Sequence, residues 1–140
     1  MQVYRKLTEQ EFEQALAIRI KVFVDEQNVP FEEEHDTFDE KAEHFGIFLD
    51  DVLVGTGRLI RQAESAKIGR IALLREFRGQ GLGSELIRTM LKAAKAGGSR
   101  ECTVDAQLGA LGFYARLGFI EEGEDFFDGG IPHRTMRRQL

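Results

Sequence analysis

The stretch KIGRIALLREFRGQGLGSELIRTMLKAAKA, residues 67 to 96, decides how the rest of this sequence is read. Ile68 to Leu74 is an apolar run of strand length, followed by a charged connection and the turn Arg78-Gly79-Gln80-Gly81-Leu82-Gly83-Ser84. Beyond the turn Leu82, Leu86, Ile87, Met90, Leu91 and Ala94 recur at helical spacing, one apolar stripe down an amphipathic helix. Gly97-Gly98 ends it, because glycine takes the left-handed backbone a helix end needs. A strand feeding through glycines into a helix start aims several unpaired N–H groups at one spot, where the helix dipole adds about half a positive charge. That is an anion site, most naturally for phosphate. Gly79 and Gly81 supply unusual backbone angles, Gly83 lets a phosphate or a neighbouring element come close, and Arg78 adds a charge-assisted donor.

The spacing narrows which phosphate. A nucleotide-hydrolysing P-loop needs a lysine after its last glycine, and none follows Gly83; a dinucleotide fingerprint needs G-x-G-x-x-G, and Gly79, Gly81 and Gly83 are not so spaced. The pattern R-x-x-G-x-G from Arg78 to Gly83 resembles the acetyl-CoA pyrophosphate loop of the GCN5-related N-acetyltransferases (GNAT). A glycine-rich turn without a ligand is the plainer alternative; the strand before and the helix after favour the cofactor loop.

At 140 residues, with 42% hydrophobic and 31% charged residues, the sequence reads as one soluble globular domain spanning 1–140. No apolar run approaches the roughly 20 residues of a membrane span, and the N-terminus has no signal-peptide core, so a cytoplasmic protein without a membrane partner is expected. A net charge of −5 argues against nucleic acid. Arg134, Arg137 and Arg138 read as a charged strand edge. The single Cys102 excludes an internal disulfide and alternates with Val104 and Ala106, as a small core side chain would.

In chain order, Gln2 to Leu7 reads as a strand, and Thr8-x-x-Glu11 as a capping box opening a helix with Phe12, Ala15, Leu16, Ile20 and Phe23 on one face. Arg19 lies on that arc; it either pairs with a carboxylate such as Glu26 or faces a ligand cleft. Residues 25 to 43 are acidic and broken by Pro30: a solvated loop or, if they border a cleft, an attraction for a cationic substrate. The acids there with His35 match no metal loop, and no metal is expected. His44 to Leu49 and Val52 to Ile60 form a hairpin at Asp50-Asp51, and 61 to 66 lead into Lys67 to Leu74. Arg100 to Ala106 is a strand, Leu108 to Leu117 a short helix stopped at Gly118, and Phe119 to Glu122 and Ile131 to Gln139 are two last strands around the loop 123 to 130. The order β-α-β-β-β-α-β-α-β-β is α+β: one mixed sheet with helices on its faces.

That order also resembles the acetyltransferase fold, which implies a mostly antiparallel sheet of six to seven strands with one splayed pair. A second motif, Phe113-Tyr114-Ala115-Arg116-Leu117-Gly118-Phe119, looks like the family's F-Y-x-x-L-G-F. Val22 to Pro30, Asp105-Ala106-Gln107 and Gly130-Ile131-Pro132-His133 followed by Met136 resemble segments of the small bacterial ElaA-like branch. The resemblance implies transfer of an acetyl group from acetyl-CoA to a primary amine of a small molecule or peptide. Arg78, Gly79, Gln80, Gly81, Leu82, Gly83 and Ser84 would hold the pyrophosphate, and Ile71, Ala72 and Leu73 the pantetheine arm, with the Leu73 N–H as an oxyanion donor. The amine must lose a proton, and the family's carboxylate on the pantetheine strand is missing, since 67 to 74 holds no acid. Asp105, expected to be buried, and His133 are the candidate bases, ahead of His44 and His35; Tyr114, which the resemblance sets beside the cofactor sulfur, is the candidate acid for the leaving thiolate, or only positions that thiol, or packs on the sheet with its hydroxyl tied off. Arg19, Glu26 and Gln107 are the candidates for holding the acceptor. An acyl-CoA-binding sensor with little catalysis is the alternative function, and a lactone-forming acyltransferase a third; monomer and homodimer both stay open.

Overall fold

Thr8 opens the first helix as its spacing predicts: its hydroxyl accepts from the Glu11 N–H, while the Glu11 carboxylate accepts from the Thr8 N–H. The computed structural model describes every residue except His35, so the reading of His35 as a base or cation ligand lies outside the described residues. The elements are β1 (Gln2–Lys6), α1 (Glu9–Arg19) running into a π-helical segment (Ile20–Glu26), α2 (Phe31–Glu34), a 3-10 turn (Thr37–Glu40), β2 (Glu43–Leu49), β3 (Val52–Gln62), β4 (Ser65–Leu73), α3 (Leu82–Ala96), β5 (Glu101–Gln107), α4 (Leu111–Arg116), β6 (Ile120–Asp128) and β7 (Ile131–Gln139). One seven-stranded sheet runs in the order β1-β2-β3-β4-β5-β7-β6. Only the β4–β5 pair is parallel.

Each face of the sheet carries its own core. Against α3, the stripe Leu82, Leu86, Ile87, Met90, Leu91 and Ala94 is buried with Cys102, Val104 and Ala106 of β5 and with Tyr114, Leu117, Phe119 and Met136. Burying each large side chain of that stripe stabilises the fold by about 1.5–3 kcal/mol. Against α1, Ala15, Ile18 and Val22 pack with Leu7, Phe48, Leu53 and Ala72, while Phe12 and Phe23 are half-buried at the rim. The buried face of α1 is therefore turned from the expected one: Ala15, Ile18 and Arg19 point inward, and from Ile20 the chain continues as a π-helix, whose phase a reading at 3.6 residues per turn does not follow.

Two features of the sheet depart from the sequence reading. β6 continues to Asp128, so the loop shrinks to Gly129-Gly130, both at positive φ. β7 is an interior strand rather than an edge: Arg134 pairs with Glu121 and Asp125, and Arg137 with Glu122 and Glu101. These arginines lace three strands together.

Cys102 is fully buried, and burial pushes its thiol up to about 12. The unfolded thiol ionises above about 9 while the native one keeps its proton, so stability falls as pH rises from there. Urea unfolding at pH 9 and pH 10 is expected to show a loss of about 1 kcal/mol that Cys102→Ala removes. Thiol reagents are expected to label Cys102 only after denaturant is added.

Candidate active site

β4 and β5 pair only from Ser65↔Glu101 to Ile68↔Val104. Beyond Ile68 the two strands part, as the splayed pair requires. A β-bulge sits at the parting: Thr56 pairs with Ala72 and Arg58 with Gly69, so Gly57 alone faces Arg70 and Ile71. Arg70 takes φ 51°, a left-handed backbone that residues with side chains seldom adopt. It is held there by its own guanidinium, which donates to the carbonyls of Glu33 and Glu34 and to Asp36 Oδ2. A Cβ on Gly57 would meet Ile71 Cδ1 and Met90 Sδ at 2.8 Å, so the bulge needs glycine beneath it.

Past the bulge, the Leu74 N–H donates to the Val54 carbonyl at 3.0 Å. Backbone groups alternate along an antiparallel strand, so the N–H and carbonyl of Leu73 face the opened gap. The Leu73 carbonyl accepts from Arg78 Nε at 2.8 Å. Ile71 lines the gap, whereas Ala72 is buried against the α1 core.

The glycine loop has the expected shape. Gly79 (φ 76°) and Gly81 (φ 81°) are left-handed, and a Cβ on either would meet no atom within 4 Å, so conformation, not crowding, selects glycine there. Gly83 has Phe113 Cζ at an ordinary 3.7 Å from its would-be Cβ, so close approach within the chain does not demand it. Gly81 caps α3 without a side-chain bond, and the first helical bond is Glu85 N–H to the Gly81 carbonyl. Among the described residues no acceptor claims the N–H groups of Gly81, Leu82, Gly83 or Ser84. Gln80 donates its side-chain amide to the Glu76 carbonyl at 3.5 Å. Arg78 pairs with Glu26 at 3.0 Å.

Glu26 thus belongs to Arg78, with Arg75 at 3.9 Å, and not to Arg19. Arg19 is 1% exposed and is not on the cleft wall. Its Nε donates to Glu34 Oε1 at 2.5 Å, Nη1 and Nη2 reach Asp39 at 2.9 and 3.1 Å, and Nη2 also reaches the Glu34 carbonyl. Arg58 joins them through Asp36 and Asp39. The acidic segment, read as a solvated loop or the border of a cleft, is in part the counter-charge of three arginines, Arg19, Arg58 and Arg70.

Between the splayed strands and this network lies a cleft of about 870 Å³. Its wall brings together Asp105, Gln107, Tyr114 and His133 with Phe23, Ile71 and Phe113. Tyr114 is 7% exposed, burial pushes its phenol well above the usual tyrosine range, and Phe113 and Phe119 meet its ring edge-on. Its hydroxyl has no hydrogen-bond partner among the described residues, so it is not tied off. Asp105 is half-exposed rather than buried; its Oδ1 accepts from Thr135 at 2.9 Å and its Oδ2 meets Lys67 Nζ at 2.7 Å. His133 Nδ1 lies 2.6 Å from the Ile131 carbonyl. A carbonyl only accepts, so Nδ1 carries the proton and Nε2 of the neutral ring keeps a lone pair. Gln107 donates to Gln27 Oε1 at 2.9 Å. His44 is off the cleft: Nε2 contacts the Asp39 carbonyl, and burial lowers its proton affinity.

A sequence model described as an acetyltransferase (GNAT) domain matches residues 4–140. The chain belongs to the GNAT acetyltransferase family. Within that family it is similar to the uncharacterized N-acetyltransferase YjcF of Bacillus subtilis, 35% identical over 131 residues, with 93% of this chain and 94% of the relative covered. Among solved structures, an acyl-CoA N-acyltransferase from Pseudomonas aeruginosa is 31% identical with a TM-score of 0.85, covering 99% of this chain and 98% of that one. Escherichia coli ElaA is 26% identical with the same TM-score and coverage. This GNAT chain is therefore an acyltransferase enzyme of ElaA-like fold. Among its described residues no helix is long and apolar enough to cross a membrane, and no cluster of three or more His, Cys, Asp or Glu is placed to hold a metal.

Proposed function

We propose that this chain transfers the acetyl group of acetyl-CoA to a primary amine of a small molecule or peptide, by direct attack in a ternary complex. The observation that carries this is the row of unclaimed amides at the start of α3, set beside a strand pair already parted to admit a ligand. The residues fit coenzyme A: open space at Gly79 and Gly81, four N–H groups from Gly81 to Ser84 without an acceptor among the described residues, and a gap lined by Ile71 and faced by the Leu73 backbone. When bound, the cofactor supplies an activated acyl group.

The chain's own residues supply the rest. The gap-facing Leu73 N–H is the donor for oxyanion charge. His133 serves as base, because Nε2 makes no hydrogen bond among the described residues while both oxygens of Asp105 are engaged by Thr135 and Lys67. Tyr114, kept protonated by its burial, gives a proton to the departing thiolate. Gln107 orients the acceptor from the cleft wall, whereas Arg19 holds Glu34 and Asp39 in place.

Calorimetry with coenzyme A and thiol release from acetyl-CoA across a panel of amines test this reading. Gly81→Val forces a branched side chain into left-handed backbone and is expected to weaken coenzyme A binding about tenfold or more. Coenzyme A binding without amine-stimulated thiol release would leave a binding module. No binding at all would end the reading.

A further inference from the structure

Inside the buried network two polar atoms on the cleft wall are left over among the described residues, the acceptor Glu34 Oε2 and the donor Arg58 Nε. Glu34 is 2% exposed and lines the cleft. Its Oε1 is taken by Arg19, which lies off the cleft, yet Oε2 is buried with no hydrogen-bond partner among the described residues. A buried acceptor without a donor is costly, so Glu34 Oε2 calls for a donor that the described residues do not supply. The neighbouring charges say which kind. Six carboxylates on the cleft wall face three cations. Those cations are already engaged: Arg58 with Asp36 and Asp39, Arg70 with Asp36, Lys67 with Asp105. Among the described residues the carboxylates of Glu32, Glu33 and Asp128 make no ion pair, and all three stand exposed on the same wall.

We propose that Glu34 is an acceptor-binding residue that holds, through Oε2, the non-reacting ammonium of a small di- or polyamine, drawn in by Glu32, Glu33 and Asp128. This rests on the acetyl-transfer reading and names its acceptor class. Two chemical points select a second nitrogen over the attacking one. An ammonium carries three donors and matches a lone buried carboxylate oxygen. The attacking nitrogen must lose its proton, which a carboxylate pairing with the ammonium would oppose; that nitrogen goes instead to His133. The same cleft wall carries Phe23, Ile71 and Phe113, apolar surface for a methylene spacer.

The test uses putrescine, n-pentylamine and δ-aminovalerate, one chain ending in ammonium, methyl or carboxylate, as acceptors for the unaltered protein. Putrescine is expected to lead the monoamine by about tenfold or more in kcat/KM, the size of one charge-assisted hydrogen bond, with the aminocarboxylate last. Raised salt is expected to shrink the lead. Glu34→Gln is expected to raise the putrescine KM about tenfold while leaving the acetyl-CoA KM and the pentylamine rate within about twofold. If that variant does not fold, the exposed pair Glu32→Gln/Glu33→Gln is expected to cut the putrescine lead about threefold. Equal use of putrescine and pentylamine by the unaltered protein, or a putrescine lead that survives Glu34→Gln, overturns the proposal. Calorimetry of putrescine on the coenzyme A-loaded protein separates the two readings. Putrescine binding that Glu34→Gln removes, without turnover, upholds the site and ends the transfer reading; neither binding nor turnover ends both.

Discussion

Arg19→Met is expected to lower the stability of the protein by about 3–5 kcal/mol, the usual consequence of leaving buried carboxylates without their cation. For a domain of this size that is a fall in melting temperature of more than about 10 °C. The loss falls unevenly. Asp39 keeps Arg58 at 3.1 Å, but among the described residues Glu34 keeps only Arg70, at 3.9 Å, so Glu34 becomes the nearly uncompensated charge. Methionine fills similar volume, which makes the missing charge, rather than a cavity, the cause. The pH dependence identifies the mechanism. Burial alone pushes the Asp39 carboxyl up, but the hydrogen bonds and charges of Arg19 and Arg58 outweigh it and hold Asp39 below the usual range. A lowered folded-state value means stability that is present above the unfolded value near 4 and lost on acidification through the folded one. With Arg19 gone that depression shrinks, so unfolding measured from pH 6 downward is expected to show a shallower acid loss in Arg19→Met than in the unaltered protein. An unchanged melting temperature would mean that the network contributes nothing net.

That network marks the limit of what the sequence discloses. The α3 helix and its loop were legible because their determinants are local: a stripe at helical spacing, glycines where φ is positive, a helix-ending Gly-Gly. The hairpin at Asp50-Asp51, with φ of 48° and 69°, and the Thr8 capping box are legible for the same reason. Arg19 pairs with partners 15 and 20 residues further on, in a run whose composition is that of a solvated loop, and only the fold shows that Glu34 and Asp39 are buried. The bulge was illegible for a different reason: its left-handed residue is an arginine, and the glycine that makes room for it sits on the next strand. Gly57, one of two glycines inside the strand Val52–Gln62, was a local sign. Glu26 and Arg78, 52 residues apart, carry no sign at all. Of the catalytic candidates, Tyr114 and His133 came from motif resemblance; the sheet register that sets His133 opposite Gln107 and Phe126 is a property of the folded chain.

Tyr114→Phe is expected to reduce kcat by about 10² or more, the range of general acid catalysis, with the acetyl-CoA KM changed less than about twofold. Among the described residues the hydroxyl makes no hydrogen bond, so removing it strands no partner, and stability is expected to change by less than about 1 kcal/mol. The ring contacts with Phe113 and Phe119 survive the substitution, which keeps the core intact. A purely structural tyrosine would therefore leave both stability and rate unmoved, and a rate loss without a stability loss assigns the hydroxyl to the chemistry. The pH profile gives a second reading. Burial raises the phenol's affinity for its proton, with the buried Cys102 thiol adding to it, so Tyr114 stays protonated well past pH 10. The kcat of the unaltered protein is then expected to hold on the alkaline side to at least about pH 10, and its acid limb to follow the protonation of the base. An alkaline fall in kcat near pH 8, or a Tyr114→Phe variant within about threefold of the unaltered rate, would remove Tyr114 from the mechanism and leave the thiolate to depart without a proton from the protein.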